Sequence, residues 1–252
     1  MEGYSAQLPR RAEAAADCLD EMHRLVEAAE FRIAAVVGCP ESEVTAEDRK
    51  FWPAFKGAEW FPSLPEGAGV MLGSGCVGHR QFGLVVGEKS LLGMVIEGPV
   101  AIEGLTCVPI DEKRWLLSGE VAEAGGAYAA VKHELKVKGS IEGYLETAAV
   151  DDAHLAGLSA VELRFRKIFE RLKLAVKEPV VVMACGAALL KSPAWTLRIA
   201  NALGVGLTLC TEPEPAARGA ALWALNRTGA IEYLEALPAS TAGVVRPVSA
   251  TA

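Results

Sequence analysis

The sequence predicts a layered α/β domain, and three observations carry that reading: two strand–turn–strand patterns in succession between residues 82 and 121, a change to helical period from residue 127, and a closing alternation of strand and helix from 179 to 226. Residues 7–37 place Ala15, Leu19, Met22, Leu25, Val26 and Ala29 near helical spacing, which predicts an amphipathic helix. Gly38-Cys39-Pro40 interrupts it. The aromatic-proline steps at Trp52-Pro53 and Phe61-Pro62 then predict an extended connector, with a domain boundary between Gly38 and Pro65.

From Glu66 the glycine density rises through Gly67, Gly69, Gly73, Gly75 and Gly78. The apolar run 82–86 reads as a buried strand that ends in the polar turn Gly87-Glu88-Lys89-Ser90, with 91–96 as the returning strand. Residues 105–110 and 114–121, divided by Asp111-Glu112-Lys113, form a second hairpin on the same grounds. Past Gly125-Gly126 a helix is predicted over 127–135. A longer one comes next over 158–176, with Val161, Leu163, Ile168 and Leu172 interleaved with Arg and Lys. The end of the chain reads as strand 179–183, helix 192–203 with Pro193 in its first turn, strand 206–210 and helix 216–226.

Composition narrows the function classes. With 252 residues, 51% of them hydrophobic, the chain can bury a core as one domain or one domain with a small appendage. A net charge of -7 and the lack of a Lys/Arg cluster argue against a nucleic-acid binder and point to small molecules or proteins as partners. The first eleven residues have no apolar segment of signal-peptide length, and no run reaches bilayer length, so a soluble cytoplasmic protein is expected, with no membrane partner. Cys18, Cys39, Cys76, Cys107, Cys185 and Cys210 show no short repeating interval and are expected as free thiols. Cys76 and His79 have the spacing of half a zinc site, but no second pair completes it, and no metal site is predicted.

Two stretches carry motif-like signals. The segment from Gly83 to Ser90 has the glycines and lysine of a phosphate-cradling loop, but three residues separate its glycines instead of four, Glu88 stands between Gly87 and Lys89, and residues 91–96 are strand-like where that loop needs a helix. A hairpin turn is the better reading. The stronger signal is Ala184-Cys-Gly-Ala-Ala-Leu-Leu-Lys-Ser-Pro-Ala-Trp195, succeeded by Ile199-Ala-Asn-Ala-Leu-Gly204 and Glu212-Pro-Glu-Pro-Ala-Ala-Arg-Gly-Ala-Ala-Leu222. In that order these segments resemble the adenosine-motif region of the FGGY carbohydrate kinases. Upstream, Trp60-Phe61-Pro62, Glu66-Gly67-Ala68 and Leu72-Gly-Ser-Gly75 are similar to the approach to that family's Gly-Asp-Gly step, and Gly87 falls on its phosphate turn. Gluconokinase-like and xylulokinase-like members are nearest in character.

The resemblance covers about residues 48–231. It divides the chain into a helical segment and linker (1–47), an FGGY C-terminal-like domain (48–232) with an internal deletion near 154–158, and a tail (233–252). It implies an actin-like ATPase fold of the ribonuclease-H-like kind, in fact one half of a two-domain kinase that closes on ATP, Mg2+ and a sugar or sugar acid. Glu66 stands for the base aspartate, Gly87 and Glu88 for the phosphate turn, and Gly186, Ala187 and Lys191 for the adenosine pocket. The departures fall on ligand contacts. Glu66 carries one methylene more than aspartate, Glu88 and Lys89 replace a Thr-Ser pair, and Ala187 replaces a glycine. The N-terminal domain, with most sugar contacts, has no counterpart in the sequence. The resemblance therefore implies weak ATP binding and a chain that does not catalyse alone. Its alternatives are half of a split kinase, completed by an N-terminal kinase domain in trans, or a non-catalytic interaction protein.

Overall fold

The computed structural model describes residues 35–38, 53–78, 80–87, 89–122, 124–136, 138, 140–148, 152–176 and 180–248. The chain divides into two compact units, residues 1–64 with 224–231 and residues 65–223 with 232–252. In the first, β1 (Ala35–Val37) pairs in parallel with β2 (Glu59–Phe61), and the rings of Phe55 and Trp60 lie 5.7 Å apart. The helix expected over 7–37 is corrected at 35–37, which are extended, where alternating burial and β-branched valines suit a pleated strand. The rest of it lies outside the described residues.

The second unit opens with α1 (Glu66–Gly73), formed by the glycine-dense stretch to which the sequence assigned no element. Its glycines serve packing. A Cβ at Gly73 would sit 1.7 Å from the Pro215 carbonyl oxygen, and one at Gly219 would sit 1.8 Å from that of Gly69. Only backbone-to-backbone approach fits there. The hairpins come next as β3 (Gln81–Val85) with β4 (Ser90–Glu97), and β5 (Thr106–Pro109) with β6 (Arg114–Val121). Helices α2 (Ala124–Glu134), α3 (Glu142–Thr147) and α4 (Ala156–Leu172) lead to β7 (Val181–Cys185). The chain continues through α5 (Ala187–Lys191), α6 (Pro193–Leu203), β8 (Leu207–Cys210), α7 (Pro215–Arg227) and β9 (Thr241–Val245).

Seven strands form one sheet in the order β5-β6-β4-β3-β7-β8-β9, parallel at β3–β7 and β7–β8 and antiparallel elsewhere. Strand alternation sorts its two faces. Phe82, Leu84, Leu92, Met94, Leu117 and Val182 enter the main core with α4 and α6, which supply buried Leu158, Phe165, Phe169, Trp195 and Ile199. Side chains of this size each contribute about 1.5–3 kcal/mol on full burial. The opposite face takes α1, whose Met71 sits so close to Gly83 that a Cβ there would meet Sδ at 2.2 Å. The long helix packs on the sheet, although Leu163, counted in its apolar stripe, is 50% exposed and Phe165 is buried in its place. On the core side, Arg198 of α6 ties to Glu162 of α4 at 2.7 Å, and Ser192 caps α6 by accepting from the Trp195 N–H. Glu142 adds a carboxylate to that cap, accepting from Ser192 Oγ and, at 2.8 Å, from the Ala194 N–H.

Candidate functional site

The parallel strands β3 and β7 end side by side, and in open α/β sheets ligands settle beyond such carboxyl ends. Glycines occupy both exits. Gly186 has φ +117°, a conformation open to glycine and strained for other residues, and a Cβ there would lie 2.1 Å from the Val86 carbonyl oxygen. A Cβ at Gly125, in the first turn of α2, would lie 2.3 Å from the Gly87 carbonyl oxygen. Three stretches of backbone therefore meet at one point with no side chain between them. Ser90 fastens the turn that leaves β3: its Oγ accepts from the Gly87 N–H at 3.1 Å and donates to the Gly87 carbonyl at 3.0 Å.

Glu66 is the first residue of α1, where a carboxylate complements the positive end of the helix. Lys89 of the turn reaches across to it, with Nζ 2.6 Å from Oε2. Both side chains are largely exposed, at 76% for Lys89 and 61% for Glu66, so the pair is well solvated. Beneath it opens a cleft of about 550 Å³ between α1 and the sheet. Val70, Val85, Leu91 and Leu116 give it apolar walls, and Glu66, Lys89, Ser90, Thr106, Ser118 and Glu120 supply its polar groups.

The structure thus brings Glu66, expected as the base, and the 87–90 turn, expected to hold phosphate, to one cleft, across 23 residues of chain. Gly87 closes the turn and Glu88 lies outside the described residues. Gly186, Ala187 and Lys191 stand apart from that cleft, on and before α5, with Ala187 and Lys191 exposed. Ala187 is helical, so the positive φ falls on Gly186 alone and the alanine brings no backbone strain. Sequence reasoning missed the Glu66–Lys89 contact, since nothing local shows that a helix start and a turn will face each other. It also missed Thr106, Ser118 and Glu120. Alternation along β6, with Leu117 pointing into the core, was the signal that places Ser118 and Glu120 on the cleft face.

Phosphate binding at such a turn needs donors that point outward. Here the Gly87 N–H serves Ser90, so a polyphosphate would have to displace that bond, and Glu66 takes one of the three Lys89 N–H donors and offsets its charge. Among the described residues no three Asp, Glu, His or Cys side chains gather as a metal site. This arrangement does not fit a tightly held nucleotide phosphate. Burial decides the chemistry of the nearby thiols as well: it pushes Cys76 up to about 12 and raises Cys185 and Cys210, which keeps all three protonated.

No protein-family model matches the sequence, and no curated protein matches it. Solved structures do. A xylulose kinase from Lactobacillus acidophilus superposes with a TM-score of 0.70 at 16% identity, covering 89% of this chain and 56% of that one. A gluconate kinase from the same organism gives 0.70 at 16% identity, covering 81% of this chain and 50% of that one. Plasmodium falciparum glycerol kinase with ADP gives 0.61 at 10% identity, with 81% and 55% covered. The chain has the fold of these sugar kinases, the actin-like ATPase type implied by the motifs, and it spans about half the length of the kinases it matches. Among the described residues no helix is long and apolar enough to cross a membrane.

Proposed function

We propose that this chain is the C-terminal domain of an FGGY-type carbohydrate kinase, descended from an ATP- and Mg2+-dependent phosphotransferase acting on a sugar or sugar acid, and that it does not catalyse alone. The observation that carries the reading is the Glu66–Lys89 pair. A general base must offer a free oxygen within about 2.6–3.2 Å of the hydroxyl it deprotonates, and Lys89 holds Oε2 of the Glu66 carboxylate, which leaves Oε1 alone to meet a substrate hydroxyl. Phosphoryl transfer depends mainly on positioning and electrostatic stabilisation. Alignment of two substrates supplies about 7–11 kcal/mol of barrier lowering, which a cleft formed by one half of the fold does not provide.

One variant of this reading is a kinase completed by an N-terminal domain on another chain, and adding such a domain to the assay tests it. Titration calorimetry with Mg-ATP tests the loss of phosphate contacts. Removing one hydrogen bond to a charged group weakens binding by roughly 1.5–3 kcal/mol, or one to two decades. A site of micromolar ancestry, with the Gly87 N–H engaged, the Lys89 charge offset by Glu66 and Glu88 added to the turn, is expected to bind with Kd of about 1 mM or weaker. A Kd below about 50 μM, within the usual range for productive sites, would contradict the proposal.

A further inference from the structure

The cleft under α1 has a polar row that the kinase reading does not use. Thr106 and Ser118 are register partners on β5 and β6, and Glu120 lies two residues along β6 on the same face. All three line the cleft. Among the described residues none of these side chains has a hydrogen-bonding or ionic partner in the protein. Ser118 is 7% exposed as a residue, and its unpartnered hydroxyl oxygen is not among the wholly buried atoms, so what is open of this side chain includes the hydroxyl. Gly93 lies opposite it across the ladder, and a Cβ there would come within 2.7 Å of the Ser118 Cβ, so the glycine fixes the space that Ser118 occupies.

Charge decides what this row can read. Lys89 is the one cation among the described residues lining the cleft, and Glu66 neutralises it. Glu120 is then a carboxylate without a counter-ion inside the cleft. Arg164, Lys167 and Arg171 border a neighbouring groove that Glu120 also reaches, but none forms an ion pair with it. Two hydroxyls and an acceptor-only carboxylate suit a ligand that presents several hydroxyl donors and no negative charge.

Resting on the carbohydrate-kinase reading, the geometry points to Thr106, Ser118 and Glu120 as specificity-determining residues that bind a neutral polyol or sugar and reject sugar acids. D-Glucitol and D-gluconate make a matched pair of probes, with the same six-carbon chain and a hydroxymethyl group or a carboxylate at one end. Calorimetry or ligand-observed NMR on the full chain is expected to show glucitol at least tenfold tighter than gluconate. The exposed, isosteric change Glu120→Gln should narrow that ratio below threefold, and Ser118→Ala should weaken glucitol about fivefold, with folding checked by circular dichroism. Gluconate binding as well as glucitol, unchanged glucitol affinity in both variants, or no glucitol binding at 100 mM each overturns the assignment. The two readings separate cleanly. Row-dependent polyol binding without phosphorylation when an N-terminal kinase domain is supplied sinks the kinase reading alone, whereas phosphorylation that ignores both substitutions sinks this one.

Discussion

Glu66 and Lys89 pair at the mouth of the cleft, where carboxylate and ammonium offset each other's charge in solvent. Gly186 was read as part of an adenosine motif, and the structure adds a backbone reason for it. With φ at +117° and a virtual Cβ 2.1 Å from a carbonyl oxygen, Gly186→Ala must strain the turn or part β3 from β7. Strained backbone costs about 1–3 kcal/mol, so a loss of roughly 2 kcal/mol or more is expected in urea denaturation. The thiols give a second residue-scale prediction. Cys76, Cys185 and Cys210 are buried and Cys107 is half-buried. At pH 8 a thiol reagent should label Cys107 before those three, which should react only on unfolding, as read by peptide mass spectrometry.

At the scale of elements, both hairpins, the long helix and the closing strand–helix alternation were foreseen within a few residues, because the strands are apolar runs bounded by turn residues and these helices run for eleven residues or more. Short helices escaped. The six residues of α3 and five of α5 give too little periodicity, and α1 is written in glycines that signal turns locally yet allow close helix packing. The edge strand β9 pairs with β8 from within the stretch assigned to a tail, and its exposed side chains leave no apolar alternation to read. The α4–α6 contact rests on Arg198 and Glu162, both nearly buried. Burial raises the Glu162 carboxyl, and Arg198 partly offsets that rise. A carboxyl raised in the folded state adds stability at low pH that is lost as pH climbs through the folded value. Arg198→Met should enlarge this effect. The variant should lose little at about pH 4, where Glu162 can hold a proton. At pH 7 it should lose roughly 3 kcal/mol, the lower end of the cost of orphaning a buried charge. Thermal unfolding at the two pH values gives the comparison.

For the molecule as a whole, the sheet order and the superposed kinases agree on the second unit's architecture, while Glu66, Glu88, Lys89 and Ala187 depart from the family at positions that the resemblance assigns to ligand contacts. The motif order was legible because glycines at forced turns and Ser-Pro at a helix start are structural necessities. Of the polar row on β5 and β6, alternation marks Ser118 and Glu120 as sharing a face, whereas Thr106 joins them only through the ladder. This half of a kinase fold is expected to have no phosphotransferase activity of its own. ADP release by the purified chain, with Mg-ATP and a panel of sugars, polyols and sugar acids, measures that activity itself. Background rates are predicted with every substrate. Turnover near ~1 per second or faster, in the range of ordinary enzymes and abolished by Glu66→Gln, would overturn the reading and restore Glu66 as a working base.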